Sequence, residues 1–535
     1  MNFLIGGISL PFTESDSAFC RVAESKMKRA VDTAQFHFCV YKKSVDARKR
    51  DDIRFVCSVL AKTDTELTQK IVDKIKRAGF SVLDDNFVLP QIGNEKLPER
   101  PLVVGLGPAG MFCALLLSEL GYAPIVIDRG GNVESRTAAY EKFCREQILD
   151  TENNIQFGAG GAGTFSDGKL TTRINDPRCS YVLKRLFEFG APSEILVKAK
   201  PHVGTDVLKG VVGNIIKQIE KNGGEVIMNC RLEGLLKNTD GTLTAKTSKG
   251  EFPAGCAILA IGHSARDTYS MLMAEGCEIE AKPFSVGVRI EHLREDIDKA
   301  TYGRFAGDPR LGAAEYNFSD TTGRGVYTFC MCPGGEVVAA ATEDGGVVVN
   351  GMSHMARNGI NSNSAIAVSV RREDYGGTAP LAINYQRELE RAAFRAGAGA
   401  FTAPVQTVGD FLEGCVKNEP GRVLPTYMNG QNYRVTDIGS ILPGYITEEL
   451  RKGIISFGKR RQGFDAPDAV LTGLETRTSS PVRIIRRENF TSQNDDLVYP
   501  CGEGAGYAGG ITSAAVDGIK VACAVIERFA LPKLK

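Results

Sequence analysis

The sequence predicts an α/β protein in which a mixed, β-rich domain is inserted into the main α/β domain and a small α+β domain precedes both. At 535 residues the chain is too long for one compact core. From residue 101 onwards short apolar runs alternate with helical stretches, whereas the first 90 residues follow the order strand, helix, strand, strand, helix. The expected boundaries are 1–90 for the small α+β domain, 91–100 for a linker, 101–274 for the first part of the main domain, 275–461 for the inserted substrate or cap domain, and 462–535 for the C-terminal part of the main domain.

The small N-terminal domain is predicted to be ferredoxin-like. An apolar run from Phe3 to Leu10 precedes a helical stretch from Ala18 to Val31, and "FHFCVYKKSVDA" and "IRFVCSVLAK" have the composition of two further strands. The hairpin between them carries a basic cluster that includes Lys42, Lys43 and Arg48. Because aspartates interrupt this cluster, we expect a solvated hairpin, and a contact with RNA or a partner protein is the alternative.

Composition and charge exclude several classes of protein. The formal net charge is +1, so the overall charge of the chain does not favour electrostatic binding to nucleic acid or to an anionic membrane. No apolar run reaches the roughly 18 to 20 residues that span a bilayer, and the first residues lack a basic segment typical of a secretion signal. Fourteen cysteines without a C-x-x-C pair indicate reduced thiols in the cytoplasm and no metal centre. Cys330 and Cys332 form C-x-C, and we expect them to be small packing residues, with a dithiol as the alternative.

A glycine triplet in "VVGLGPAGMFCALLLSELGYAPIVIDRG", residues 103 to 130, lies between a predicted strand and a predicted helix. Gly105 permits the tight turn, Gly107 lets a pyrophosphate approach the backbone, and Gly110 lets the helix pack on the strand. The helix N-terminus offers unpaired N–H groups to phosphate. Asp128, 18 residues after the last glycine, ends the second strand and is positioned for ribose hydroxyls. The stretch therefore predicts a Rossmann-like dinucleotide site.

The C-terminal segment "DDLVYPCGEGAGYAGGITSAAVDGIKVACAVIERF", residues 495 to 529, distinguishes FAD from NAD. An apolar strand runs into Gly502 and Glu503, and a glycine-rich loop then leads to a helix that begins near Thr512. This arrangement resembles the second FAD motif of flavoproteins with two dinucleotide folds. There the helix N-terminus faces the pyrimidine edge of the flavin, where it stabilises the negative charge of the reduced ring.

Two further segments agree with an FAD-binding domain. "NIQFGAGGAGTFSDGKLTTR", residues 154 to 173, is too rich in glycine for a helix or a plain strand and suits main chain that runs along a flat cofactor. "EFPAGCAILAIGHSARDT", residues 251 to 268, predicts a strand that returns the chain to the FAD sheet after a small β-meander.

These segments together resemble a bacterial family of FAD-dependent, or NAD/FAD-utilising, dehydrogenases within the glutathione-reductase-like flavoproteins. The most specific pieces include "GGAGTFSDGKLTTR", "AKPFSVGVRIEH", "CMCPGGEVV" and "CGEGAGYAGGITSAAVDG". The family loop often reads "GEGGAGT", and this chain has alanine in place of the glutamate at residue 159, which argues against a catalytic carboxylate there. The resemblance implies FAD and a redox activity and supplies no substrate.

The candidate catalytic residues are His202, His263 and Arg477. Imidazole titrates near neutral pH and suits a general acid or base, and a guanidinium binds carboxylates bidentately. The alternatives are structural histidines and an inter-domain salt bridge. The expected cofactor-binding residues are Gly105, Gly107, Pro108, Ala109, Gly110, Asp128, Arg129, Gly160, Gly161, Thr164, Lys169, Gly262, Gly502, Glu503, Gly510, Ile511 and Thr512.

The expected function is that of an FAD-dependent oxidoreductase that transfers hydride between flavin N5 and a small organic substrate. A second glycine fingerprint is missing from the sequence, so NAD(P)H or another electron donor would bind transiently. We expect neither a nucleic acid nor a membrane as partner. The alternative is an RNA-acting or redox-sensing flavoprotein that uses the N-terminal domain as a docking module.

Overall fold

A computed structural model describes residues 1–84 and 86–533 and has the mixed α/β character that the sequence predicts. The N-terminal domain is a four-stranded antiparallel sheet in the order β2-β3-β1-β4 with two helices. This is the split βαβ arrangement of ferredoxin-like domains. Its elements are β1 Asn2–Pro11, α1 Asp16–Lys28, β2 His37–Asp46, β3 Arg54–Lys62, α2 Gln69–Arg77 and β4 Ser81–Val82.

The basic hairpin of this domain is docked on the rest of the protein. The backbone carbonyl of Lys43 accepts a hydrogen bond of 2.9 Å from the N–H of Ala199. The ammonium group of Lys43 lies 2.7 Å from a carboxylate oxygen of Asp16, and Arg48 pairs with Asp46 at 2.6 Å. These internal contacts favour the structural interpretation of the basic cluster over contact with RNA.

The main domain is built on a five-stranded parallel sheet in the order β23-β11-β5-β6-β7. Its central strands are buried on both faces, as apolar runs in parallel sheets require. Its elements are β5 Pro101–Val104, α3 Pro108–Glu119, β6 Ile125–Ile127, α4 Val133–Glu146, α5 Arg178–Glu188, α6 Glu194–Val197, α7 Thr205–Lys221, β7 Glu225–Ile227, β11 Cys256–Leu259, α8 Arg266–Ala274, β23 Val498–Pro500 and α14 Ile511–Arg528, with a 3₁₀ turn at Gly161–Phe165.

A three-stranded antiparallel meander connects β7 to β11, where the glycine turns of the sequence predict one. A two-stranded sheet marks the two crossings between the main and the inserted domain. The meander consists of β8 Leu232–Lys237, β9 Leu243–Thr247 and β10 Gly250–Ala254, and the crossing sheet of β12 Ile279–Ala281 and β22 Val482–Ile484.

The inserted domain is a seven-stranded mixed sheet in the order β14-β15-β18-β13-β21-β19-β20, with a separate two-stranded sheet of β16 and β17. Its elements are β13 Phe284–Leu293, α9 Arg294–Tyr302, β14 Ser319–Asp320, β15 Val326–Cys332, β16 Glu336–Ala339, β17 Val349–Met352, β18 Asn361–Val370, α10 Ala379–Ala396, β19 Ala403–Thr407, α11 Val408–Glu413, β20 Tyr433–Val435, α12 Ile438–Ile441, α13 Gly444–Arg460 and β21 Val470–Glu475, with 3₁₀ turns at Gly303–Phe305, Arg372–Asp374 and Tyr427–Gly430.

The second crossing differs from the expected boundary between residues 461 and 462. Strand β21, expected in the C-terminal part of the main domain, pairs antiparallel with β13 and β19 of the inserted domain. All six of its residues are buried, so it has the apolar run that is also typical of a parallel strand of the main sheet. The chain therefore leaves the inserted sheet only after residue 475.

Among the helices of residues 1–84 and 86–533, none combines the length and the apolar character that crossing a bilayer requires. Within the same residues, groups of three or more histidine, cysteine, aspartate or glutamate side chains placed to hold a metal ion are likewise absent.

Candidate cofactor and active site

The first glycine turn connects β5 to α3. Gly105 has a φ of 100°, and a Cβ there would lie 2.3 Å from the carbonyl oxygen of Ala260. A Cβ on Gly110 would lie 1.9 Å from the carbonyl oxygen of Gly105. These two positions accept only glycine, because the strand, the turn and the helix meet there. Gly107 is the N-cap of α3 and contacts only the backbone of Gly161, at 3.8 Å from its Cβ position. The first N–H groups of α3 therefore face open space.

Asp128 lies at the end of β6 and fixes two loops of this turn. One carboxylate oxygen accepts a hydrogen bond of 2.7 Å from the N–H of Leu106. The other accepts from the N–H groups of Gly130 and Gly158, at 2.9 and 2.8 Å. A carboxylate offers about four acceptor positions, so one is left for a ribose hydroxyl. Direct contact with ribose stays a prediction.

The glycine-rich loop of residues 154 to 173 passes beside the turn, and Arg136 holds it there. This arginine is fully buried, and burial lowers its pKa to about 9. Its guanidinium stacks on the ring of Phe165, 4.7 Å from the centroid. Its N–H groups donate to the backbone carbonyls of Asn154, Ile155, Ala159 and Gly161. A buried cation with four carbonyl partners is well satisfied and fixes the path of the loop.

The second glycine segment lies against the first, although 400 residues separate them. A Cβ on Gly502 would lie 2.6 Å from the Cβ of Ala109, and a Cβ on Gly518 would lie 2.1 Å from the carbonyl oxygen of Ala109. A Cβ on Gly504 would lie 2.5 Å from the carbonyl oxygen of Gly262. Helices α3 and α14 consequently pack closely, and their first residues are neighbours, because a Cβ on Gly163 would lie 3.6 Å from Pro108 and 3.2 Å from Ile511. We take the space beside these two helix starts as the candidate cofactor cleft.

The rim of this cleft is open at several glycines. No heavy atom of the described chain lies within 4 Å of the place where a Cβ on Gly262, Gly509 or Gly510 would be. Gly510 is the N-cap of α14, and the first N–H groups of this second helix, like those of α3, lack partners within the helix. Two helix N-termini and a glycine-lined rim fit a flat, anionic dinucleotide.

Glu503 belongs to the same cleft and is only partly buried. Burial raises its pKa to about 7, while the positive charge of Lys282 opposes this rise. A carboxyl group with such a pKa exchanges a proton near neutral pH.

The two candidate histidines differ in their surroundings. His202 is buried, and its Nε2 donates to the carbonyl oxygen of Met355 at 3.2 Å. His263 is half-buried, with Nδ1 3.0 Å from the hydroxyl of Ser264. Burial, reinforced by the charges of Arg477 and Arg266, lowers the pKa of His263 to about 4. The imidazole of His263 is therefore neutral at physiological pH.

Arg477 is one of two arginines that share the carboxylate of Glu390. Its Nε and Nη2 donate to Glu390 at 2.9 and 2.7 Å, and Arg266 donates to the same two oxygens at 2.7 and 2.9 Å. The remaining nitrogen of Arg477 donates to the hydroxyl of Ser264 at 3.1 Å. Arg477 thus supports the residue that contacts His263, and its direct contact with substrate stays a prediction.

The remaining predicted cofactor residues line the loop or the two helices. Arg129 pairs with Glu152 at 3.0 Å and with Asp267. Lys169 donates to the backbone carbonyl of Met331 in the inserted domain. The other predicted residues are backbone or packing positions. Pro108 and Ile511 lie next to Gly163, and Gly160 and Gly161 belong to the glycine-rich loop. The hydroxyl of Thr164 donates to the carbonyl oxygen of Ala159, and the hydroxyl of Thr512 donates to the carbonyl oxygen of Leu170.

Several buried charged residues of the site have no signal in the sequence. Arg136, Arg266 and Glu390 carry no local motif, and their partners lie far away in the chain. Asp517 on α14 accepts from the N–H of Gly502 at 2.7 Å and pairs with Arg486 at 2.7 Å. In the sequence, the signal for this contact is the position of Asp517, fifteen residues after the glycine turn at Gly502 and on the inner face of a helix.

Comparisons with known proteins identify the cofactor. Residues 283–478 match the family described as FAD-dependent protein, C-terminal domain-like. This match covers β13 to β21 of the inserted domain and ends just after Arg477. The protein is thus FAD-dependent, and FAD is its cofactor.

A protein of Clostridium beijerinckii (strain ATCC 51743 / NCIMB 8052), described as "Uncharacterized protein", is 49% identical over 501 residues, which are 92% of this chain and 93% of its own. The chain belongs to the same family as this protein.

Solved structures of flavoenzymes are similar at a much lower level. CtdE in complex with FAD is 11% identical, with a TM-score of 0.32, over 79% of this chain and 84% of its own. L-amino acid deaminase from Proteus vulgaris is 12% identical, with a TM-score of 0.33, over 84% of this chain and 98% of its own. Likenesses at this level do not define an activity.

Proposed function

We propose that the protein is an FAD-dependent oxidoreductase that transfers hydride between flavin N5 and a small organic substrate. The observation that carries the proposal is the convergence of the N-termini of α3 and α14, with open glycines between them, on one cleft. Bound FAD supplies the hydride acceptor or donor, and the chain supplies position, electrostatics and protons. The resemblance to glutathione-reductase-like dehydrogenases supports this reaction class.

The cleft has a separate function for each end of the cofactor. The N-terminus of α3 would hold the pyrophosphate, because its first N–H groups lack partners within the helix. Asp128, with one acceptor position left, would bind a ribose hydroxyl. Glu503 would bind the ribityl side, and the N-terminus of α14 would stabilise the negative charge of the reduced ring.

Proton transfer would fall to Glu503 and His263. Glu503 has a pKa of about 7, so it can hold or release a proton during turnover. His263 stays neutral, because burial lowers its pKa to about 4, and it would act as a hydrogen-bonding group or a base rather than an acid. The chain from Arg477 through Ser264 to His263 would fix the orientation of the imidazole.

The test is a spectral titration of the purified full chain. After reconstitution with FAD and removal of free cofactor, we expect a flavin absorbance spectrum and bleaching under anaerobic NADH, NADPH or dithionite. Reoxidation by organic acceptors in the absence of oxygen would then identify the substrate class. Protein that takes up no FAD would refute the proposed site. Bound FAD that no acceptor reoxidises would favour the redox-sensing alternative.

A further inference from the structure

Two of the fourteen cysteines, Cys330 and Cys332, lie at an irregular end of β15, next to the glycine-rich loop. The register between β15 and β18 shifts between Phe329 and Cys332, so the strand bulges at the two residues between them. Cys330 in this bulge has a φ of 44°, in the left-handed region that non-glycine residues rarely adopt. Backbone of this kind persists only where the surrounding structure holds it, and such positions cluster at functional sites.

Two cations from different domains hold this bulge. Arg289 of β13 donates to the carbonyl oxygen of Cys330 at 3.1 Å, and the same nitrogen lies 3.9 Å from the sulfur of Cys332. Lys169 of the glycine-rich loop donates to the carbonyl of Met331 between the two cysteines. The end of β15 is thus attached to the cofactor loop of the main domain.

The two thiols are unequal in accessibility and in chemistry. Cys332 is fully buried, whereas Cys330 is partly exposed. The thiol of Cys332 donates to the carbonyl oxygen of Cys330 at 3.4 Å. Hydrogen bonding by Cys332, followed by the charges of Arg289 and Lys169, lowers the pKa of Cys330 below its usual value against the effect of burial. The pKa of Cys332 is raised well above its usual value by the same hydrogen bond and by burial. Three carboxylates oppose the Cys330 thiolate electrostatically: Asp167, Glu475 and Glu503.

A contact with the glycine-rich loop locates Cys330 relative to the candidate cofactor site. Lys169 of that loop donates to the carbonyl oxygen of Met331, the residue next to Cys330. The negative charge of Cys330 also contributes to the raised pKa of Glu503. A partly exposed thiolate beside a buried thiol is the arrangement that a nucleophilic and a resolving cysteine require.

We propose that Cys330 and Cys332 form a redox-active dithiol that reduces a low-molecular-weight disulfide at the cleft. The Cys330 thiolate attacks one sulfur of the substrate, a mixed disulfide forms, and the other half leaves as a thiolate. The Cys332 thiol then gives its proton to the thiolate released in the first step and attacks the sulfur of Cys330, which closes the Cys330–Cys332 disulfide and releases the second half of the substrate as a thiolate. The substrate disulfide gains two electrons and the dithiol loses two.

The sequence spacing of Cys330 and Cys332 permits an internal disulfide between them. Residues two apart cannot separate their Cα atoms by more than about 7 Å, and a bulge shortens that distance. Disulfides bridge Cα atoms up to about 6.8 Å apart. None of these steps uses the flavin, so the dithiol is independent of the proposed hydride transfer.

The first test is the pH dependence of alkylation in the FAD-loaded protein, read by mass spectrometry of each cysteine peptide. Cys330 should react with iodoacetamide at a rate that changes less than twofold between pH 6.5 and 8, because it is already a thiolate there. Cys415, a partly exposed thiol whose pKa is raised, serves as the matched control. Its rate should rise about tenfold for each pH unit. A Cys330 rate that rises in parallel with that of Cys415 would overturn the proposal.

The second test uses oxidised glutathione and three variants. The wild-type peptide should lose two hydrogens on oxidation, and Cys332→Ser should accumulate glutathione on Cys330. Cys330→Ser should give neither product, and Cys415→Ser should behave as wild type. If Cys332→Ser carries no glutathione, or if the wild type forms no internal disulfide, the dithiol does not exist. The FAD content, measured in the same samples from flavin absorbance, reports separately on the proposed cofactor site.

Discussion

Placing a side chain at Gly510 tests the cofactor site without disturbing the fold. Gly510 has a φ of 165° and a ψ of 171°, an extended conformation that any residue adopts. No heavy atom of the described chain lies within 4 Å of its Cβ position. The valine of Gly510→Val would therefore extend into the cleft at the N-terminus of α14, where we place the pyrimidine edge of the flavin.

The expected magnitude follows from this geometry. Because the substitution meets no protein atom, the free energy of unfolding of the FAD-free protein should change by less than about 0.5 kcal/mol. Three extra carbon atoms between the helix and the cofactor should cost about 1–3 kcal/mol of binding, as for overpacking in a filled interior. At about 1.4 kcal/mol per factor of ten, the Kd for FAD should rise about 5- to 140-fold.

The assay is fluorescence or calorimetric titration of the FAD-free protein, together with denaturant unfolding in the absence of FAD. Gly210→Val on α7 is the matched control, since the Cβ position of Gly210 also has open surroundings within the described chain but lies away from the cleft. The control should bind FAD with the wild-type Kd. A folded Gly510→Val protein that also binds FAD with the wild-type Kd would show that the N-terminus of α14 does not face the cofactor.

Three further outcomes are expected. Asp128→Asn replaces a carboxylate oxygen by an amide nitrogen that cannot accept a hydrogen bond, so one buried N–H loses its partner. Denaturant unfolding should show a loss of about 1–3 kcal/mol in the free energy of unfolding, and FAD binding should be weaker. An unchanged free energy of unfolding would contradict the role of the carboxylate in fixing the two loops. Glu390→Gln removes the acidic partner of the buried Arg477 and one of the two acidic partners of the buried Arg266, which keeps Glu343, and should cost about 3–5 kcal/mol in the same assay. The exposed control Glu388→Gln on the same helix should stay within about 0.5 kcal/mol. The neutral His263 has a pKa near 4 in the folded protein and about 6.5 when unfolded, so its contribution to stability is complete above pH 7 and is lost as the pH falls towards 4. The difference in Tm between wild type and His263→Asn should consequently shrink between pH 7 and 4.5, and a constant difference would argue against burial of the imidazole.

The local parts of the cleft could be predicted from the sequence. Gly105 and Gly110 are required by contacts within one strand, turn and helix, and that information lies in adjacent residues. The meander could likewise be predicted, because the glycine turns that define it are adjacent in the sequence to the strands they connect. The expected boundary between residues 461 and 462 differs from the structure, in which β21 pairs with strands of the inserted domain, because an apolar run indicates burial on both faces and not the identity of the neighbouring strand.

The charged interior could not be predicted in the same way. Arg266 and Glu390 are 124 positions apart, and Arg136 is satisfied by backbone carbonyls that any sequence would supply. In the sequence, these residues look like ordinary surface charges. Their function depends on which segments the fold brings together.

The carboxylate of Glu390, shared by Arg266 and Arg477, joins helix α8 of the main domain, helix α10 of the inserted domain and the segment after β21 that leads back to the main domain. A hinge motion through this point would have to separate ions in a medium of low polarity, which costs several kcal/mol. The two domains should accordingly travel together through a catalytic cycle.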